Sequence, residues 1–315
     1  MGRVTVVGSY VLALTMDTDR LPLEGETVLG RNYQEADGGK GTNMAACAAR
    51  LGAQTAIIAK VGRDAFGERF VSLLRDEGVS REAVLYSEKF STAVGFIIFN
   101  SRGTNAIVID MAANGDLTPT DIAAHEDLIQ KSDVLLSPLE IRLETAMAAA
   151  RLSASHGKKF ILNPAPAVDL RGHDLSCLFA LTPNETEARV CLGLSPDDTT
   201  SDEKLARRLL ELGPANVMLT RGAAGVIWAS RDGVQSMPAA KVKTLDAVGA
   251  GDAFNAGLAV GLSEKRSLRE AIALGVTTAS LSTEKRLTVP SYPRREEVDP
   301  RVRDVLDGCH ACLPT

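Results

Sequence analysis

The stretch LDAVGAGDAFNAGLAVGL, residues 245–262, decides how this chain is read. Two carboxylates, Asp246 and Asp252, flank a glycine-rich turn, and from Asp252 to Leu262 the residues are small or apolar and read as a helix. Glycines ahead of a helix let unpaired backbone N–H groups converge on one point, and the positive end of the helix dipole strengthens the field there. Gly249, Ala250 and Gly251 therefore make a candidate anion site. Asp252 at its edge can simply cap the helix. It can also accept a proton from a hydroxyl that is about to attack a bound phosphate.

A second turn of the same kind opens ADGGKGTNMAACAARLGA, residues 36–53. It is not a Walker phosphate loop, because Lys40 is followed by Gly41 instead of Ser or Thr, and it does not match the GxGxxG dinucleotide fingerprint. It offers Gly38 and Gly39 for close backbone approach, with Lys40 and Asn43 as polar groups near a helix start. A plain structural turn accounts for the same residues.

Outward from these turns, short apolar runs alternate with helical patterns. RVTVVGS, TAIIAKVG, DVLLSP, KFILNP and NVMLT read as buried strands, being brief, rich in Val, Ile and Leu, and bounded by Gly, Pro or polar residues. Helices are expected over Asn43–Leu51, Ala65–Glu77, Thr120–Lys131, Leu143–His156, Glu185–Leu192 and Glu203–Leu212. That order predicts repeated βαβ units and a parallel sheet covered on both faces. Residues 11–37 and the pair TAVGFIIFN and TNAIVID, joined through Ser101-Arg102-Gly103, break the rhythm. They predict a small accessory sheet, contributed by about 11–37 and 91–110, that lies over a cleft as a lid. No linker divides the 315 residues, so a single domain over 1–315 is expected.

A formal net charge of −5 leaves no electrostatic footprint for nucleic acid or an anionic membrane. The N-terminal run MGRVTVVGSYVLAL is interrupted by Gly8, Ser9 and Tyr10 and reads as a first strand instead of a signal peptide or membrane span. The five cysteines, Cys47, Cys177, Cys191, Cys309 and Cys312, are scattered and odd in number, which fits free thiols in a reducing cytoplasm. Cys309 and Cys312 have CxxC spacing without a second ligand pair, so neither metal nor redox work is expected of them.

GGKGTN at 38–43, LNPAPA at 162–167, TPNETEA at 182–188, TRGAAGV at 220–226 and DAVGAGDAFNAG at 246–257 stand in the order and spacing of the ribokinase-like carbohydrate kinases. The likeness extends from VVGS at 6–9 through VPSYPRREEVD at 289–299, and the sequence resembles that family over nearly its whole length. The resemblance implies an α/β three-layer sandwich with a mostly parallel central sheet and a small β-sheet lid. It implies an ATP-dependent kinase in which Asp252 is the catalytic base and the N–H groups of Gly249, Ala250 and Gly251 stabilise the γ-phosphoryl oxygens. Gly38, Gly39, Lys40, Asn43 and Glu140 would bind the acceptor, and Thr220, Arg221, Gly222, Gly225 and Gly251 the nucleotide. Asn184 and Glu187 would arrange Mg²⁺ through water, although a capping box explains the same pair. Asp246, with Val248, Thr283, Leu287 and Ser291, matches a monovalent-cation site for K⁺, but Leu287 stands where a small residue, often glycine, is expected. A homodimer through the lid is also implied.

The likeness fails in one place. Where the family's first strand continues with Asn and Asp that grip sugar hydroxyls, this chain has Val11 and Ala13. Losing buried hydrogen-bonding groups removes discrimination for hydroxyls. The expected acceptor is therefore a sugar or sugar-like alcohol, and a related polyol or modified sugar fits this more apolar wall better than ribose. A nucleoside is the alternative, with Tyr10 stacking on its base or else packing in the core. Asp17 or Asp19 could compensate from the lid. A catalytically idle sugar- or nucleotide-binding relative is the reading from a different class, and a dehydrogenase is disfavoured for want of the fingerprint.

Overall fold

The computed structural model describes residues 1–101, 104–308, 310 and 311, so Arg102, Gly103, Cys309 and Cys312 lie outside the described residues. Fourteen strands follow the chain: β1 Arg3–Val7, β2 Val11–Thr18, β3 Arg31–Gly38, β4 Gln54–Gly62, β5 Val84–Ser87, β6 Val94–Asn100, β7 Asn105–Asp110, β8 Val134–Pro138, β9 Lys159–Asn163, β10 Ala180–Leu181, β11 Asn216–Thr220, β12 Val226–Ser230, β13 Gly233–Met237 and β14 His310–Ala311. The helices are α1 Lys40–Arg50, α2 Ala65–Asp76, α3 Pro119–Ala123, α4 Glu126–Lys131, α5 Leu143–Ser155, α6 Glu185–Cys191, α7 Asp202–Leu210, α8 Ala250–Ser263, α9 Leu268–Ser282 and α10 Arg295–Asp307.

Ten strands form one sheet in the order β14-β13-β12-β11-β10-β9-β8-β1-β4-β5. From β11 to β5 every pairing is parallel, while β12, β13 and β14 continue it antiparallel. The period-two alternation of a strand sends successive side chains to opposite faces. Val4, Val6, Val134, Leu136 and Ile161 join the core shared with α1, α2, α8, α9 and α10. Val7, Leu135, Phe160 and Leu162 join the opposite core, under α3 to α7. The result is the three-layer sandwich that the alternation of strands and helices predicts. Small residues bring α8 and α9 together; a methyl group on Gly257 would lie 2.7 Å from Gly275 Cα.

The remaining four strands make a separate sheet, β3-β2-β6-β7. β6 and β7 are the expected hairpin, and β2 joins it parallel to β6. All of β7 is exposed, including Ile107, Val108 and Ile109.

Helix ends differ from expectation where local chemistry intervenes. α1 begins at Lys40, three residues early, because Gly41 lies inside the helix. The helix expected over Thr120–Lys131 is two short ones: a Thr118–Asp121 capping box starts α3, and the chain leaves helical geometry at His125. The hairpin β12–β13 and helices α9 and α10 are elements beyond those expected; Pro300 inside charged α10 masks its pattern.

Candidate active site

In an open parallel sheet, ligands bind beyond the carboxyl ends of the strands, where the connections reverse direction. Here β1 lies between β4 and β8, and the chain after these ends supplies the site. Ser9 follows β1, Glu140 follows β8, Asn184 and Glu187 follow β10, and Thr220 closes β11.

The first glycine turn starts α1. Gly39 is its N-cap with φ 88°, and Gly41 lies two residues into the helix. Both are small because the chain after β1 passes directly over them. A methyl group on Gly39 would meet Val11 N at 2.7 Å, and one on Gly41 would meet Ser9 N at 2.2 Å. Thr42 N and Oγ1 both donate to Ser9 O, at 2.9 and 2.8 Å. Glu140 completes the turn: its Oε2 accepts from Ser9 Oγ at 2.6 Å and from Lys40 N at 2.7 Å.

The second turn starts α8 in the same way. Gly249 is the N-cap with φ 79°, held close beneath Tyr292 and Thr288, while Gly251, two residues on, faces open space. Ala250 N closes the turn on Ala247 O at 3.2 Å. Asp252 is buried in the first turn of α8, and its Oδ2 accepts from Asn43 Nδ2 at 2.8 Å, which joins the two turns. Asn43 Oδ1 is buried without a hydrogen-bond partner.

Charge in this corner is unbalanced. Burial raises the carboxyl of Asp252 above its ordinary range, against the lowering effects of Lys40 and the Asn43 hydrogen bond. Glu140 and Glu187 are raised by burial as well, and Lys40 opposes both shifts. Lys40 is itself raised, first by the charge of Asp252. A helix N-terminus is worth about 0.3–1 kcal/mol to a carboxylate, up to about 2 when partly buried. Removing the ion from water costs several kcal/mol. Desolvation therefore wins, and the Asp252 carboxylate is more basic than an exposed one.

Beside Asp252 a cavity of about 480 Å³ opens between β11, the loop after β13, α8 and α9. Ala250 and Gly251 form one end of its wall; Thr220, Gly222 and Gly225 line it with Val242, Phe254, Val276 and Ala279. Arg221 is not among its lining residues. Its guanidinium turns back to Ala224 O at 3.1 Å and toward Asp202 at 3.9 Å. Asn184 and Glu187 form a reciprocal capping box on α6, each bond 2.8 Å, so the structural reading of that pair holds while the carboxylate stays within electrostatic reach of Lys40 and Asp252.

Asp246, Val248, Thr283 and Leu287 do come together. Asp246 accepts from Val248 N at 3.0 Å and Leu287 N at 3.3 Å, and Thr283 O accepts from Leu245 N and Asp246 N at 2.7 and 3.1 Å. Ser291 Oγ donates to Thr288 O. Leu287 has φ 70°, which explains why a glycine is expected there. Asp17 and Asp19 bind within the four-stranded sheet and its adjoining turn, to Asn32 and Arg31. Tyr10 packs in the core, stacked on Phe70 at 4.7 Å between ring centroids.

One further pair, not singled out by the sequence analysis, holds the first turn of α8. Thr182 Oγ1 donates to Asn255 Oδ1 at 2.7 Å, and Asn255 Nδ2 donates to Gly251 O at 2.8 Å. Both residues stand inside the quoted motifs, which was the available signal.

Comparison with known proteins gives the family. The family model for pfkB family carbohydrate kinases matches residues 1–295. The chain belongs to the pfkB family of carbohydrate kinases. A ribokinase of Haemophilus influenzae is 35% identical over 294 residues, 93% of this chain and 96% of its own length. A deoxyribokinase of Salmonella typhi is 33% identical over 298 residues, again 93% and 96%. Among solved structures, a Thermotoga maritima ribokinase superposes with TM-score 0.86 at 28% identity, covering 96% of this chain and 100% of its own. An Arabidopsis thaliana ribokinase complexed with ribose and ATP gives 0.84 at 26%, covering 97% and 99%. This pfkB-family chain is accordingly a carbohydrate kinase, and the dehydrogenase reading has no support.

Proposed function

We propose that this carbohydrate kinase moves the γ-phosphoryl group of ATP to a hydroxymethyl group of a sugar or sugar-like alcohol. Asp252 takes the proton from the attacking hydroxyl, and the backbone of the first turn of α8, Gly249 to Gly251, stabilises the oxygens of the transferred group. The supporting observation is the placement of a buried, destabilised carboxylate between an unpartnered Asn43 oxygen and the open face of Gly251, at the end of an apolar cavity. Asn43 Oδ1 is available to a donor hydroxyl of the acceptor. Gly38, Gly39, Lys40 and Glu140 form the rest of its cradle, and Thr220, Gly222 and Gly225 the nucleotide wall.

Mg²⁺ fits the donor chemistry. Among the described residues no group of three or more His, Cys, Asp and Glu forms a protein cage for a metal. Mg²⁺ commonly binds through one or two carboxylates, water and substrate phosphates, and Glu187 with Asn184 would hold it in that way, neutralising phosphate charge. No monovalent cation enters the proposal: Leu287 stands where a small residue is expected, and Asp246 and Thr283 O hold the segments 245–248 and 283–287 to each other.

The acceptor carries no hydroxyl that must be held by position 11 or 13, so a deoxysugar or another modified sugar ranks above ribose; the deoxyribokinase relative supports this. The nucleoside alternative loses its main argument, since Tyr10 is sealed against Phe70. The exposed apolar strand β7 and Phe96 suit pairing with a second copy in the cytoplasm, where Cys47, Cys177 and Cys191 stay free. ATP consumption measured with MgATP across pentoses, deoxypentoses, hexoses, polyols and nucleosides tests the assignment. A sugar or polyol that supports turnover is the expected result; turnover with nucleosides alone, or with none of the panel, would overturn it.

A further inference from the structure

The junction between lid and body carries a charged network that no catalytic role has absorbed. Asp37 is the penultimate residue of lid strand β3 and immediately precedes Gly38 and Gly39. Arg69, on α2 of the body, clasps both its oxygens, with Nε to Oδ1 at 2.7 Å and Nη2 to Oδ2 at 3.1 Å. The third guanidinium nitrogen, Nη1, reaches Glu35 Oε2 at 2.7 Å, two residues back on the same strand. From inside, buried Tyr10 donates its hydroxyl to Asp37 Oδ1 at 2.7 Å. Phe70, next to Arg69 in α2, stacks on the Tyr10 ring. On the far side Thr288 Oγ1 meets Asp37 O at 3.4 Å, and Thr288 also packs against Gly249.

Two-pronged contact between a guanidinium and a carboxylate fixes orientation as well as distance. A lone exposed pair would be worth little. This one is backed by a buried phenol and anchored on a packed helix. We propose that Arg69, Asp37 and Tyr10 form a hinge clasp that holds the glycine turn 38–41 in its acceptor-ready position, so that Arg69 is a positioning residue for acceptor binding. The clasp rests on the reading of residues 38–43 as the acceptor cradle. Its reach is local: none of Arg69, Asp37 and Tyr10 lines the apolar cavity beside Gly251.

The test compares Arg69→Gln, Asp37→Asn and Tyr10→Phe with the native chain. Steady-state kinetics on the best acceptor of the panel should show the acceptor KM rising about tenfold in Arg69→Gln and Asp37→Asn, and less in Tyr10→Phe, which keeps the ring stack. The ATP KM should stay within about twofold. The Arg69→Gln/Asp37→Asn double variant should cost less than the two single variants combined, since both remove the shared Arg69–Asp37 contact. Amide hydrogen exchange, which needs no turnover, should quicken over residues 31–41 and remain unchanged over 249–255. Loss of kcat alone with native KM values, or unaltered exchange over 31–41, would overturn the clasp even in an active kinase. Quickened exchange over 31–41 in a chain that phosphorylates nothing would leave the clasp standing and sink the functional reading.

Discussion

The two glycine turns occupy the same helical positions and serve opposite ends. In each, a glycine with positive φ is the N-cap and a second glycine sits two residues into the helix: Gly39 and Gly41 before α1, Gly249 and Gly251 before α8. At Gly41 the space is already filled by the chain at Gly8 and Ser9, whereas a side chain at Gly251 would meet nothing within 4 Å. The first turn is bare so that the protein can close upon itself. The second leaves Gly251 open, where the proposed mechanism puts the transferred phosphoryl group. A glycine motif alone does not distinguish the two; the neighbours do.

Alanine at each position breaks the comparison open. Gly41→Ala forces a methyl group onto backbone, not onto a side chain that can swing away, and overpacking costs about 1–3 kcal/mol. Melting temperature should fall by about 2–5 °C, with activity lost in proportion to folded protein. Gly251→Ala should leave the melting temperature unchanged or slightly higher, because Ala is about 0.5–1 kcal/mol better than Gly inside a helix. Its methyl group instead enters the space for phosphate, and the ATP KM should rise about tenfold. A destabilised Gly251→Ala with native ATP kinetics would reverse the assignment of the two turns.

Charge sharpens the same contrast. Burial lifts Asp252 above the 3.8 of an ordinary aspartate, so the folded chain binds that proton more tightly than the unfolded one. The stability this group contributes is full below the unfolded pKa and is lost as pH rises through the folded pKa. The proposed mechanism needs the deprotonated form, so its acid limb of kcat/KM should lie above the ordinary aspartate range. Lys40 holds the carboxyl down, so Lys40→Met should move the limb to higher pH; a limb that stays in place would separate Lys40 from Asp252. The smallest effect is expected at Leu287→Gly. Relieving a leucine at φ 70° should stabilise the chain by about 0.5 kcal/mol in thermal unfolding, the strain relieved exceeding the entropy glycine adds.

The strands of the parallel sheet were legible because burial on both faces leaves short, nearly continuous runs of Val, Ile and Leu, as in β4 and β8. The lid hairpin was legible from its turn residues. α10 was not, since Pro300 and a dense charge pattern obscure a helix that buries Val298, Val302 and Val305 and packs Leu306 against the core. In the site, Asp252 and Asn43 were readable as types in motifs, and Glu140 only through the family resemblance. The bond from Asn43 to Asp252 spans 209 residues of sequence and that from Ser9 to Glu140 spans 131, and both exist only after folding. The clasp at Asp37 had no motif at all, because its partners Tyr10 and Arg69 come from separate elements. Arg221 shows the converse: a residue in a recognisable loop whose side chain turns away from the cavity.

The account depends most on the carboxylate at the start of α8. Asp252→Asn keeps size and the hydrogen bond position while removing the base, so kcat with the best acceptor should fall by about 10²–10⁴, with MgATP binding by calorimetry kept within about threefold. Turnover within about threefold of the native chain would contradict the account.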